Sequence, residues 1–235
     1  MVTGDFDPAA AMAKLAATFG AAPAGTAFEW AAAPASVGGA RTLLIDKPDA
    51  TQTYFQIAQP GIDKKNRDRT TLEVVNTLFG GRFTSLLNDA LRVNSGLTYG
   101  ASAQLQEDRL PGAIVISTYT KTDTTTQAID MALDVLKRFS EKGITAEQLA
   151  SAKAYVKGLY PTRRLETIGD SVDGYFSRID AITLERANAV IAKYYHPDNL
   201  TFAILGVAGK IRESVKKYNP QFTELSIKDA GWGAY

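Results

Sequence analysis

The chain contains no cysteine and a single histidine, His196. Without thiols there is no disulfide frame, no thiolate nucleophile and no cysteine-ligated zinc. With one imidazole, a histidine-based zinc site or a Ser-His-Asp arrangement lacks its partners. An excess of charge of one sign is missing as well, since 26 lysines and arginines against 25 acids leave a net charge of +1. That balance offers no electrostatic footprint for nucleic acid or an anionic membrane surface. No apolar run approaches the roughly 18–20 residues needed to cross a bilayer, and the N-terminus has no basic stretch followed by a long apolar one. Phosphate-binding loops are excluded too. Neither Gly38-Gly39 nor Gly80-Gly81 is followed by GK[ST], and no strand-to-helix GxGxxG exists.

What remains is a globular composition, 45% hydrophobic over 235 residues, enough for one large domain or for one domain plus an attached piece. The opening MVTGDFDPAAAMAKLAATF predicts a strand end, a Gly-Asp turn and a helix with Asp7 as N-cap and Pro8 at its first position. A chain that starts inside a strand reads as an engineered start or as a cut from a longer polypeptide. Residues 20–40 are mostly Ala, Gly and Pro and read as a linker, so the main domain is placed at 41–235 and the attached tail at 1–40. RTLLID and TQTYFQIAQ read as strands around Lys47-Pro48-Asp49, and Leu72, Val75, Leu78 and Phe79 form a helical stripe that stops at Gly80-Gly81. A short helix over 84–92 follows, then strands over 98–106 and 113–120 separated by Pro111-Gly112. Ile129, Ala132, Leu133, Leu136 and Phe139 share one face of a helix that Gly143 ends, and Thr145 with Gln148 has capping-box spacing for the next. More helix is predicted over 164–180 and 184–194, before the strand NLTFAILG and a last helix over 208–218. This order predicts an α+β fold, an antiparallel β-sheet with helices packed on one face and residues 200–206 returning to pair inside it. The late LTFAILGVAGKIRESVKKY echoes the strand, turn and helix plan of the first 19 residues, which points to the tail as the end of a similar preceding domain.

Candidate chemistry is sparse. His196, in YYHPDNL, sits among turn-forming residues. Asp170 with Asp173, and Glu107 with Asp108, carry no pattern that places them in a cleft, and DKKNRDR over 63–69 reads as a solvated helix start. That leaves LNDALRVNSGLTYGASAQLQ, where Arg92 ends a helical segment, Asn94-Ser95-Gly96 breaks it and Tyr99 opens an alternating strand. Spacing alone leaves two readings open. In one, Tyr99 joins Ala101, Ala103 and Leu105 in the core, and Arg92 complements the helix dipole. In the other, the turn folds the strand back beside the helix end, so that a guanidinium and a phenol converge as two donors suited to a peptide carbonyl gaining negative charge. No nucleophile accompanies them, so they can only assist.

The segment GGRFTSLLNDALRVNSGLTYGASAQL resembles one in the pitrilysin/insulinase family of zinc metallopeptidases, roughly Gly-Gly, Ser-x-Leu, Leu-Arg and Gly-Leu-x-Tyr. GITAEQLASAKAYVKG is similar to the family's Gly-Ile-Thr-x-Glu-Glu-Leu helix, YHPDNLTFAILG to its closing Pro-x-Asn-Leu strand, and VTGDFDP to that strand of the preceding domain. In order and spacing the resemblance covers nearly the whole chain. It implies tandem α+β domains of the insulinase-like metallopeptidase-half type, with two halves closing over a peptide-holding chamber. On that basis 41–235 is a trailing, non-catalytic domain, and 1–40 is the tail of the homologous domain before it. The family's inverted zinc motif, H-x-x-E-H, is absent. The resemblance therefore places zinc in a catalytic domain or subunit that pairs with this one, and assigns neither a catalytic nor a metal residue here. It implies that Arg92 and Tyr99 bind the peptide substrate near the partner's zinc, with Gly96 and Leu97 in register between them. One departure is that Val93-Asn94 replaces the usual acidic residue after Leu-Arg. Two functions follow as expectations: a substrate-holding domain of a zinc peptidase, or a structural subunit of the kind found among relatives that have lost both site halves. Retention of Arg92 and Tyr99 favours the first. The purified chain is expected to hold no stoichiometric zinc after dialysis; elemental analysis checks this, and about one tightly held zinc per chain would contradict it.

Overall fold

The computed structural model describes residues 2, 4–29, 41–107, 109–164 and 174–229, with side chains left undescribed over 160–164. Two compact units are present, 1–34 and 35–235. In the first, helix α1 (Pro8–Phe19) starts where the sequence predicts, with Asp7 Oδ1 accepting from the N–H groups of Ala9 (2.8 Å) and Ala10 (3.4 Å). The strand end expected before it lies largely outside the described residues, as do Gly38-Gly39, Asp108, Asp170 and Asp173.

The second unit is built on one six-stranded sheet. Its strands are β1 (Arg41–Asp46), β2 (Gln52–Pro60), β3 (Ala101–Gln106), β4 (Ala113–Lys121), β5 (Thr201–Gly206) and β6 (Thr223–Ser226), in the order β3-β4-β2-β5-β1-β6. The α+β architecture is the expected one, and the late strand does return inside the sheet, between β1 and β2. The sheet is mixed, however, and not wholly antiparallel: β3-β4, β4-β2 and β2-β5 are antiparallel, whereas β5-β1 and β1-β6 are parallel. The cause is topological. A strand antiparallel to β2 that slots in beside β1, which runs opposite to β2, must be parallel to β1. Strand β6 was not predicted at all, because TELS is short and mostly exposed, with no alternating apolar signal.

Side-chain alternation gives the sheet one buried face. Thr53, Phe55, Ile57 and Gln59 of β2 are buried and Tyr54 and Gln56 are exposed, the period of two that a half-covered strand requires. Helices α2 (Arg69–Asn76), α4 (Thr125–Lys142) and α8 (Ala208–Tyr218) pack on β3, β4 and β1 respectively. Helices α5 (Ala146–Arg164), α6 (Tyr175–Asp180) and α7 (Leu184–Tyr194) complete the helical layer. The capping box forms as expected: Thr145 N–H donates to Gln148 Oε1 (2.9 Å), and Gln148 N–H donates to Thr145 Oγ1 (3.2 Å). At the centre Phe79, Phe139 and Tyr195 meet with ring centroids 4.8–5.1 Å apart. The Tyr195 hydroxyl donates to Asn76 Oδ1 (3.0 Å) and the Asn76 amide donates to the Ala103 carbonyl (3.0 Å), so this cluster is hydrogen-bonded to β3. Burial pushes the Tyr195 phenol pKa upward, which keeps it a neutral donor. After α2 a wider, π-helical turn (Thr77–Gly81) lies so close to β3 that a Cβ at Gly80 would overlap the backbone nitrogen and Cβ of Ala103. Gly80-Gly81 is thus structural.

The charged run over 63–69 departs from its solvated reading. Asp68 is buried and receives Lys193 Nζ (2.9 Å), the Tyr194 hydroxyl (2.7 Å) and the Arg186 guanidinium, tying the start of α2 to α7. Burial alone would raise its carboxyl pKa, but the Lys193 and Tyr194 hydrogen bonds and the positive charges outweigh burial and hold it below the usual aspartate range. A carboxylate depressed in the folded state contributes stability above its unfolded pKa, about 3.9, and loses that contribution as pH falls through the folded value. Asp68→Asn is therefore expected to lower Tm at pH 7 and to flatten the fall in Tm on acidification below about pH 5. Thermal melts across pH check this, and parallel curves for the two proteins would contradict it.

Candidate functional site

The turn singled out by the sequence is assembled from a short helix and the start of β3. Ser85 begins α3 (Leu86–Asn88), its hydroxyl accepting from the Asn88 N–H (3.3 Å). The helix runs on as a π-helical turn (Asp89–Asn94) that carries Arg92 in its last turn. It stops at Gly96, whose φ of +64° lies in the left-handed region that favours glycine, and whose N–H donates to the Arg92 carbonyl (3.0 Å). The carbonyl of buried Leu91 then accepts three donors: the N–H of Leu97 (2.9 Å), the N–H of Thr98 (3.2 Å) and the Ser95 hydroxyl (2.9 Å).

Beyond the turn the chain is held by hydroxyls. Thr120 Oγ1 donates to the Leu97 carbonyl (2.7 Å), Thr118 Oγ1 lies 2.8 Å from the Gly100 carbonyl, and Thr98 Oγ1 bonds both the N–H and the carbonyl of Gly100. These local bonds take up the backbone groups of residue 100, so β3 starts at Ala101 and not at Thr98 as predicted. Asn88 locks the two sides together. It is buried, its amide donates to the Phe83 carbonyl (2.7 Å), and its Oδ1 accepts from the Ala101 N–H (3.2 Å).

On this frame the two candidate side chains stand free. Tyr99 is 78% exposed, which overturns the core reading of that residue. Among the described residues its hydroxyl has no hydrogen-bond partner. Arg92 is half-buried at a helical C-terminal turn, and its guanidinium carbon lies 4.6 Å from the centroid of the Phe83 ring. Among the described residues it makes no ion pair and no side-chain hydrogen bond, to Tyr99 or to any other residue. The backbone turn couples the pair; their side chains do not. Sequence reasoning missed Phe83 and Asn88. Phe83, 62% exposed, was detectable only as an aromatic with no core period to satisfy, and Asn88 only as a polar residue three after a helix-capping serine.

The other candidates resolve as structural. His196 Nε2 is 2.8 Å from the Lys193 carbonyl, and the His196 N–H donates to Gln59 Oε1 (3.1 Å), fixing the approach to β5. Glu107 is tied to Arg69 Nε (2.6 Å). Among the described residues no group of three or more His, Cys, Asp or Glu side chains could hold a metal ion, so they do not fit a zinc site. No described helix is long and apolar enough to cross a membrane. The sheet face away from the helices carries a cavity of about 450 Å³ that includes Gly100, next to Tyr99, together with Tyr54, Tyr119, Ser102 and Ser117. Among the described residues no carboxylate or imidazole lines it.

Comparison with known proteins is consistent with these observations. The chain is 28% identical over 176 residues to the non-peptidase homolog YmxG of Helicobacter pylori, covering 67% of this chain and 40% of that protein. It is 25% identical over 191 residues to an uncharacterized zinc protease of Mycobacterium tuberculosis, covering 75% of this chain and 43% of that one. The chain thus spans less than half the length of both relatives. A solved structure of a peptidase M16 inactive domain from Pseudomonas fluorescens superposes with a TM-score of 0.77 at 23% identity, over 86% of this chain and 52% of that one, and shows the same fold. Residues 1–156 match the family model described as the peptidase M16 inactive domain, and the chain belongs to that family, the non-catalytic domain of a group of zinc proteases.

Proposed function

We propose that residues 41–235 hold a peptide substrate for a zinc-bearing catalytic domain or subunit, with Arg92 and Tyr99 as the two donors, and that residues 1–40 are the tail of a homologous domain preceding this one. The observation that carries this reading is the pairing of two uncommitted donors with a turn anchored by the hydrogen bonds of the Leu91 carbonyl, the Gly96 N–H and the Asn88 amide. An exposed tyrosine with no hydroxyl partner contributes nothing evident to the fold, and an arginine without a carboxylate keeps its in-plane N–H donors available. Fixing the backbone that carries such donors before substrate arrives lowers the ordering cost of binding, and donors aimed at a carbonyl oxygen bind it more strongly as charge develops there. Zinc held by the partner would supply the activation of water, and this chain would supply binding and orientation through Arg92 and Tyr99.

A second reading, a structural subunit without a proteolytic role, draws support from the H. pylori relative, which is named a non-peptidase homolog. One substitution separates the two. In the complete assembly containing the zinc-bearing half, Tyr99→Phe is expected to leave Tm unchanged and to reduce peptide hydrolysis by on the order of 10²–10³-fold, the usual consequence of losing one such donor. Arg92→Lys is expected to be harmful as well, because a point charge does not reproduce the planar fork. Unchanged hydrolysis in both variants would favour the structural subunit, and an unfolded Tyr99→Phe variant would show that the hydroxyl serves the fold.

A further inference from the structure

We propose that Phe83 is a positioning residue: its exposed ring fixes the orientation of the Arg92 guanidinium, in the role that a carboxylate partner would otherwise play. This inference rests on the reading of Arg92 as a substrate donor. Arg92 lies over the Phe83 ring at 4.6 Å and has no ion-pair partner among the described residues. Directly after it the sequence carries Val93-Asn94, so no acidic side chain follows it along the turn. A long side chain without a partner would sample many rotamers, each of which must be given up when substrate binds. A ring beneath the guanidinium restricts that sampling while leaving the in-plane N–H donors unused, because cation–π attraction acts through the face of the ring.

The backbone of Phe83 is fixed for this purpose. Its carbonyl accepts from the Asn88 amide (2.7 Å), and the same amide group accepts from the N–H of Ala101, two residues after Tyr99. One buried side chain therefore sets the ring under Arg92 and the start of the strand beside Tyr99 together. Folding alone gives no reason for the ring to be where it is. Phe83 is 62% exposed and takes no part in the buried core. It does not occupy the place of a hydrophobic staple, which for a helix capped by Ser85 would join positions 84 and 89, here Thr84 and Asp89.

Two measurements test the proposal. In NMR spectra of this chain, the Arg92 side-chain protons are expected to show upfield ring-current shifts that disappear in Phe83→Leu and persist in Phe83→Trp; shifts that are the same in wild type and Phe83→Leu would overturn the stack. In the complete assembly, Phe83→Leu is expected to lower kcat/KM for peptide hydrolysis by roughly two- to fivefold, the scale of an exposed cation–π contact. Phe83→Trp is expected to restore the rate, and Phe83→Leu is expected to have no further effect once Arg92→Ala is present. An equal loss from Phe83→Leu with and without Arg92 would show that the ring acts through the fold and would overturn the proposal. If Arg92→Ala slows hydrolysis while Phe83→Leu does not, the substrate-donor reading stands and the positioning role falls. If Arg92→Ala itself has no effect, both fall.

Discussion

The site depends on a backbone constraint: between Leu91 and Ala101 the chain must pass from a helix into a sheet without leaving buried N–H or C=O groups unpaired. The Leu91 carbonyl meets that demand by accepting three donors, Gly96 by adopting a left-handed conformation, and Asn88 by presenting a donor to Phe83 and an acceptor to Ala101. A buried polar group left without its partner costs about 1–3 kcal/mol, whereas a made hydrogen bond contributes about 1 kcal/mol. The turn is therefore held less by the strength of any one bond than by the penalty for breaking one. Side chains that take no part in this network, Tyr99 and the Arg92 guanidinium, are available for something else.

Beneath the turn the packing is tight. The Phe79, Phe139 and Tyr195 rings, the Asn76 link to Ala103 and the contact of Gly80 with β3 fix the preceding helical turns against the sheet. Side chains in such a close-packed layer have little room to shift, so position is transmitted from core to turn with little loss. The chain belongs to the peptidase M16 inactive domain family, and among the described residues no cluster of side chains could hold a metal ion.

Much of the fold was legible because local rules and tertiary structure agreed. Asp7-Pro8 and the reciprocal Thr145-Gln148 pair cap helices as their sequence spacing implies, and the alternation in RTLLID and TQTYFQIAQ marks strands that the structure contains. The parallel ladders could not be read, since pairing partners are set by where β5 slots between β1 and β2 and leave no trace in either strand's own pattern. Asp68 was misread for a related reason: its partners Arg186, Lys193 and Tyr194 are more than 100 residues away. At the candidate site the sequence located the turn and its two polar residues. Strand alternation left a core reading of Tyr99 open, which its exposure removes, because nothing local reports that β3 starts two residues later, at Ala101. The stack of Phe83 on Arg92, nine positions apart across a helix cap and a π-helical turn, matches no helical or strand period.

The most direct test of the account is a crystal structure of the complete assembly with a non-cleavable peptide bound. The account predicts the Tyr99 hydroxyl and an Arg92 N–H within about 2.7–3.2 Å of peptide carbonyl oxygen, over a turn whose Asn88 and Leu91 hydrogen bonds are unchanged from those described here. A peptide held elsewhere, with Arg92 and Tyr99 engaged only by protein groups of a neighbouring domain, would contradict it.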